Sequence, residues 1–245
     1  RTIARLDIKN DYVIKGINFE GLRKIGKPLD LSNKYYIDGL DELLLLDSVA
    51  TLYSRKNLFD VIKKITEKIF IPVCVGGGIR SLNDIEMALN SGADKVAINS
   101  AIVKDISLLK IAKKNFGASN IVVSIEVKKN LNDWEIYVNN GRDKTGKKLS
   151  NWVKQVQEVG CGEILITSID NDGTKKGLNH DLLEYIKSLE IFVPLIISGG
   201  VGNINHVKEF MKIFPDEALA IGSALHYKLI EMKEIKKLYE QNNYT

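Results

Sequence analysis

VGGGIRSLNDIEMALNSGADKVAINSAIV (75–103) and ISGGVGNINHVKEFMKIFPDEALAIGSAL (197–225) are two passes over one pattern. Each opens on an apolar residue and a glycine run, continues through a stretch of helical period, and ends on a short apolar run followed by a small polar pair, Asn99-Ser100 or Gly222-Ser223. Gly77 and Gly199 are 122 positions apart, Asp7 and Glu126 are separated by 119, and Glu42 and Glu163 by 121. Offsets this similar describe a chain built from two related halves.

Outward from these segments, β-rich runs alternate with helical ones along the whole chain. The strand candidates are TIARLDI, DELLLLD, IPVCVGG, KVAIN, IVVSIEV, EILITS, VPLIIS and EALAIGS. Helical periodicity marks LFDVIKKITEKI (58–69), LNDIEMALNSG (82–92), LSNWVKQVQEVG (149–160), HDLLEYIKSL (180–189) and INHVKEFMKIF (204–214). Eight such alternations in 245 residues predict parallel α/β structure closed as a (β/α)8 TIM barrel, a single domain over 1–245 made of two sequence-related four-stranded half-barrels.

With 44% hydrophobic and 27% charged residues, the composition is that of a soluble globular chain with enough apolar residues for one large core or two small ones. Runs such as LLLLDSVA (43–50) are strand-sized, short of the roughly 20 apolar residues that span a bilayer. The start, RTIARLDIKN, lacks the apolar core of a secretory signal, so a cytoplasmic location and no membrane partner are expected. The net charge of +4 is spread over helix faces, as at Lys63, Lys64 and Lys68, which speaks against nucleic acid and suits phosphorylated substrates. Cys74 and Cys161 lie in apolar stretches and are expected as buried free thiols. His180, His206 and His226 show no ligand spacing, and neither a metal nor an organic cofactor has support in the sequence.

TIARLDIKND (2–11) and IVVSIEVKKN (121–130) share one form: an apolar run, a carboxylate, an apolar residue, then lysine. In an eight-stranded barrel Asp7 and Glu126 end strands one and five, opposite each other at the face where such barrels place their chemistry. Gly76-Gly77-Gly78 follows strand three and Ser198-Gly199-Gly200-Val201-Gly202 follows strand seven. Glycines there either make tight turns or let backbone N–H groups approach a phosphate. Asn99-Ser100 and Gly222-Ser223 would complete two phosphate sites, implying a bisphosphorylated small-molecule substrate. Asp172-Gly173-Thr174 borders the second site or is an ordinary Asp-Gly turn. A ligand so anchored spans the mouth between Asp7 and Glu126, where paired carboxylates can divide proton donation and abstraction. IKNDYVIKGINFEGLRKIGKP (8–28) is expected as a long polar loop able to act as a lid, with Lys15 as its functional cation. WEIYVNNGRDKTGKK (134–148) reads as an inserted hairpin turning at Asn139-Asn140-Gly141.

LDIKNDYVIKGINFEGLRKIGKPL, DELLLLD, VGGGI, ADKVAIN, GEILITSIDNDGTKKG and SGG together resemble the cyclase subunit of imidazole glycerol phosphate synthase, over almost the whole chain. The sister isomerase of histidine biosynthesis is also similar, but the KGINFE loop and IDNDGT favour the cyclase. The resemblance implies a barrel that accepts ammonia from a glutaminase partner and cleaves and cyclises a phosphoribulosyl formimino carboxamide ribonucleotide. It implies Asp7 and Glu126 as the acid/base pair and Lys15 as the first-loop lysine. Phosphate contacts map to Gly78, Asn99, Asp172, Gly173, Gly200 and Ser223, and an ammonia gate at the opposite face to Arg1, Glu42, Lys95 and Glu163.

The chain departs from the family pattern at two places: Glu126 stands for the usual aspartate and Arg5 for the usual cysteine. One methylene displaces a carboxyl by roughly an ångström, which on a positioned acid/base group costs on the order of 10²-fold. Strand alternation points Arg5 into the barrel with Asp7. Its buried guanidinium needs a partner, for which Glu126 and Glu163 are the candidates. These departures motivate two alternatives: a cyclase-like paralogue supplying ammonia for amidation of a bacterial surface sugar, and a non-catalytic ammonia-channel scaffold.

Overall fold

The computed structural model describes residues 1–48, 52–131 and 133–242. Val49 and Ala50, which end the run LLLLDSVA, lie outside the described residues. The strands in chain order are β1 (Thr2–Lys9), β2 (Tyr12–Ile17), β3 (Glu20–Gly26), β4 (Glu42–Asp47), β5 (Val73–Gly76), β6 (Lys95–Ile98), β7 (Ile121–Asn130), β8 (Asp133–Val138), β9 (Asp143–Lys148), β10 (Glu163–Ser168), β11 (Leu195–Ser198) and β12 (Ala218–Ile221). Parallel pairing runs β1-β4-β5-β6-β7-β10-β11-β12, and β12 pairs back onto β1, closing an eight-stranded (β/α)8 barrel. All eight barrel strands coincide with the predicted runs. The five predicted helices are present, and Pro28–Ile37, Ser107–Phe116 and Met232–Asn242 are further helices.

Alternation along the strands divides the interior in two. Ala4, Leu6 and Ile8 join the large cluster between sheet and helices, whereas Ile3 joins Leu44, Cys74, Val122, Leu165 and Ile196 in the lumen. Both cysteines are buried free thiols. The helices after the two glycine turns start on side-chain caps: Ser81 Oγ accepts from the Asp84 N–H, and Asn203 Oδ1 from the N–H groups of Asn205 and His206.

Two readings of the sequence need correction. β1 continues past Asp7 to Lys9, and β7 past Glu126 to Asn130, so neither carboxylate ends its strand. At each, the strand keeps its parallel partner on one side and takes an antiparallel partner on the other, with Asp7 opposite Ile14 on β2 and Glu126 opposite Tyr137 on β8. The stretch 8–28 is therefore not a polar loop but the end of β1 and the hairpin β2–β3. Backbone groups carried beyond the barrel rim must still find partners, and the hairpins supply them. The β2–β3 turn puts Asn18 and Phe19 at φ 49° and 65°, the primed geometry that fits strand twist. That conformation is unfavourable for a bulky phenylalanine.

Phe210, on the helix Ile204–Ile213, is fully buried against Phe214. Phe210→Ala should lower the unfolding free energy by about 3–5 kcal/mol in urea titrations, the cost of a lost aromatic plus its cavity.

Candidate active site

At the C-terminal mouth of the barrel lies a cluster of four buried charges. Arg5 Nε donates to Asp7 Oδ1 at 2.9 Å, and its Nη1 donates to the hydroxyls of Thr167 and Ser198, both at 3.2 Å. Lys15 Nζ donates to Asp7 Oδ2 at 2.7 Å and to both oxygens of Asp172 at 3.1 and 3.0 Å. Two cations and two carboxylates balance, as burial of charge requires. Burial alone would raise the pKa of Asp7, but the charges and hydrogen bonds of Arg5 and Lys15 hold it well below the carboxylate range. Burial disfavours the Arg5 cation, yet Asp7 and Asp172 raise its pKa further. Arg5 thus finds its partner in Asp7, two residues along the same inward face, and not in Glu126 or Glu163 as expected. Its main-chain carbonyl lies past the last β1–β12 pair and accepts from His226 Nε2 at 3.0 Å. That ring nitrogen must carry the proton, so Nδ1 accepts from the Tyr35 hydroxyl at 2.8 Å. Burial, with nearby Lys15, lowers the His226 pKa to about 4 and keeps the ring neutral.

Glu126 faces this cluster from β7, half-way round the barrel from β1. Its Oε2 accepts from the Gly141 N–H at 2.8 Å. Desolvation is the largest influence on it, and although the Gly141 bond and Arg5 pull the other way, its pKa is raised to about 7. The Gly141 bond comes from the turn of the β8–β9 hairpin, where Asn139, Asn140 and Gly141 take φ of 54°, 59° and 71°. The turn folds over the mouth: the Asn140 amide donates to the Ser48 carbonyl at 3.0 Å and the Asn139 N–H to Ser100 Oγ at 3.1 Å. The sequence reads this segment as a hairpin but gives no sign that its turn reaches the carboxylate.

Asp7, Lys15 and Glu126 line one cavity of about 580 Å3, with Gly77, Gly78, Asn99 and Ser100 on one wall and Asn140 and Arg142 on another. Asp172 also lines it. Of the residues expected to bind phosphate, Gly78, Asn99 and Asp172 share this cavity, while Gly173, Gly200 and Ser223 are not among its lining residues. The Asp172 carboxylate holds Lys15, and its N–H donates to the Ser168 and Ile169 carbonyls at 3.0 and 3.3 Å. The glycines at 77 and 199 answer a steric need. A Cβ on Gly77 would sit 2.1 Å from the Asp47 carbonyl oxygen, and one on Gly199 2.8 Å from that of Ser168. Ser223 Oγ is one of five buried side-chain polar atoms among the described residues that have no hydrogen-bond partner.

At the opposite end, Arg1, Glu42, Lys95 and Glu163 come together as a ring of alternating charge. Arg1 forks onto Glu163 at 3.0 and 3.1 Å and reaches Glu42 at 2.9 Å. Lys95 bridges the same two glutamates, at 2.8 Å to Glu163 and 3.0 Å to Glu42. Burial raises the pKa of Glu42; for Glu163 it is outweighed by the Arg1 and Lys95 hydrogen bonds, which lower it. Between this ring and the mouth lies the apolar lumen layer. No helix among the described residues is long and apolar enough to cross a membrane.

Fold and site together are those of a (β/α)8-barrel enzyme, with a buried charge cluster and a cavity at the C-terminal mouth. The chain belongs to the histidine biosynthesis protein family, whose model matches residues 1–231. Similar relatives are three proteins named imidazole glycerol phosphate synthase subunit HisF. That of Campylobacter concisus is 42% identical, covering 99% of this chain and 95% of its own. That of Legionella pneumophila is 46% identical over 83% of this chain and 96% of its own, and that of Wolinella succinogenes 43% identical over 97% and 93%.

The raised pKa of Glu126 has a thermodynamic consequence. The folded protein keeps this proton after the unfolded chain, with its ordinary value near 4.5, has lost it. The stabilisation is complete below about pH 4.5 and is lost as pH rises through about 7. Glu126→Gln should therefore gain on the wild type by on the order of 2–3 kcal/mol across that interval in urea unfolding. A difference that does not vary with pH overturns the assignment.

Proposed function

We propose that the chain is the cyclase subunit of an imidazole glycerol phosphate synthase. It takes ammonia from a glutaminase subunit and cleaves and cyclises a phosphoribulosyl formimino carboxamide ribonucleotide. The observation that carries this reading is the alignment along one axis: a charged ring at one end, an apolar lumen layer, and at the other end a cavity holding Asp7, Lys15 and Glu126.

In this reading Glu126, with a pKa of about 7, takes and returns a proton at the ligand's reacting centre near neutral pH. Lys15 presents its cation to negative charge developing there, held by Asp7 and Asp172. Gly78 and Asn99 receive one phosphate on the cavity wall, with Arg142 at the rim. Gly173, Gly200 and Ser223 receive the other, and the unpartnered Ser223 hydroxyl supports a ligand oxygen at that place. The glutaminase docks over the charged ring. Supporting this, Ile37, Phe70 and Phe192 are 70%, 79% and 80% exposed. They stand in the segments entering β4, β5 and β11, on the same end of the barrel as the ring.

The direct test is turnover of the ribonucleotide with ammonium salt and no partner. Wild type should cyclise it, and Lys15→Met should lose at least about 10²-fold in kcat/KM; a folded wild type without turnover overturns the proposal. Such a result would favour a second reading, in which the barrel passes ammonia to a separate acceptor such as a surface-sugar amidation enzyme. The observation on its side is the Arg5–Asp7 pair, which occupies one of the two expected acid/base groups. For the docking face, Phe70→Glu with Phe192→Glu should weaken glutaminase binding by more than about tenfold, measured by calorimetry, while ammonium-dependent turnover persists.

A further inference from the structure

We infer that Arg5 is a positioning residue that occupies Asp7 and leaves proton transfer in this site to Glu126 alone. The inference rests on the reading of the mouth as an active site given above. Both oxygens of Asp7 are engaged by cations, Oδ1 by Arg5 Nε at 2.9 Å and Oδ2 by Lys15 Nζ at 2.7 Å. A proton on either oxygen breaks one of these charge-assisted bonds. It would also leave surplus positive charge in a cluster where Arg5, Lys15, Asp7 and Asp172 now cancel. Asp7 therefore acts only as an acceptor.

Arg5 is held in that pose from the other side too. Its guanidinium crosses the lumen to Thr167 on β10 and Ser198 on β11, and the ring of Phe19 covers it at 5.5 Å from the centroid. Phe19 keeps this place in a left-handed conformation, at φ 65°, which persists for a bulky side chain only where the surroundings enforce it. Glu126 is held differently. It accepts one backbone N–H, from Gly141, and makes no ion pair within 4.0 Å among the described residues. The charges facing it are Arg5 and Asp7 from β1, Lys15 from β2 and Asp172 from the loop after β10. Asp47 and Arg80 lie on the β4 and β5 sides of the cavity, Arg142 and Asp143 on the hairpin side, and Tyr137 opposite in the β8 ladder. A site so arranged moves one proton at a time, through one carboxylate.

Carbon-13 carboxyl NMR of the full chain decides this without any substrate. In wild type the Glu126 signal, assigned by its loss in Glu126→Gln, should titrate near pH 7, while Asp7 stays ionised from about pH 5 to about pH 9. In Arg5→Met the Glu126 midpoint should rise by about half a pH unit, and Arg5→Lys should return it toward wild type because the charge is restored. Asp7 titrating within that window in wild type, or a Glu126 midpoint indifferent to both substitutions, overturns the inference. Should Arg5→Met not fold, the wild-type and Arg5→Lys titrations remain decisive. In the turnover assay, kcat/KM of wild type should follow a single ionisation near 7, with a second limb entering in Arg5→Met. Absence of turnover in wild type sinks the cyclase reading, whereas the role of Arg5 stands or falls on the NMR titrations alone.

Discussion

Closure of the eight-stranded parallel sheet is the constraint from which the rest follows. Once β12 pairs with β1, every second side chain of each strand is committed to a lumen that only those side chains can fill. On β1 this sends Ala4, Leu6 and Ile8 to the helices and leaves Ile3, Arg5 and Asp7 inside. Moving the register by one residue would exchange the two sets and put the charged group against the helical shell. The apolar layer in mid-lumen and the charged groups at both ends are thus consequences of one pairing.

Charge at the axis is tolerable because it is compensated locally. The four groups at the mouth form a neutral set, and the ring at the far end pairs Arg1 and Lys95 with Glu42 and Glu163. Removing any member leaves a buried charge without its partner, costing more than the intact pair contributes. The same compensation pushes the two mouth carboxylates apart: two cations hold Asp7 ionised, while Glu126, with one N–H and a desolvated pocket, keeps its proton to about pH 7. Two acids at matching places in the sequence acquire different chemistry from what touches them.

Much of the architecture was legible because its signals are periodic. Eight apolar runs separated by helical patterns predict the barrel, and each run is a strand of it. The hairpin at Asn139-Asn140-Gly141 was legible from turn chemistry. The stretch 8–28 was not, because its lysines and glycines read as a loop, whereas an edge hairpin tolerates both. The Lys15–Asp172 contact was not legible either: an Asp-Gly turn says nothing of which cation its carboxylate will meet, and Lys15 lies 157 positions away.

The sequence by itself determined the fold and the residues that reach the mouth, since strand period and repeat offset are local quantities summed along the chain. The groups that form the ring at the far end came from the family resemblance and not from strand period. Only the tertiary structure decided how these groups pair: Arg5 with Asp7, Lys15 between two aspartates, and the Gly141 N–H on Glu126. Pairing depends on distances between strands and loops far apart in the chain. At these separations an ångström decides whether a carboxylate carries a proton or a salt bridge.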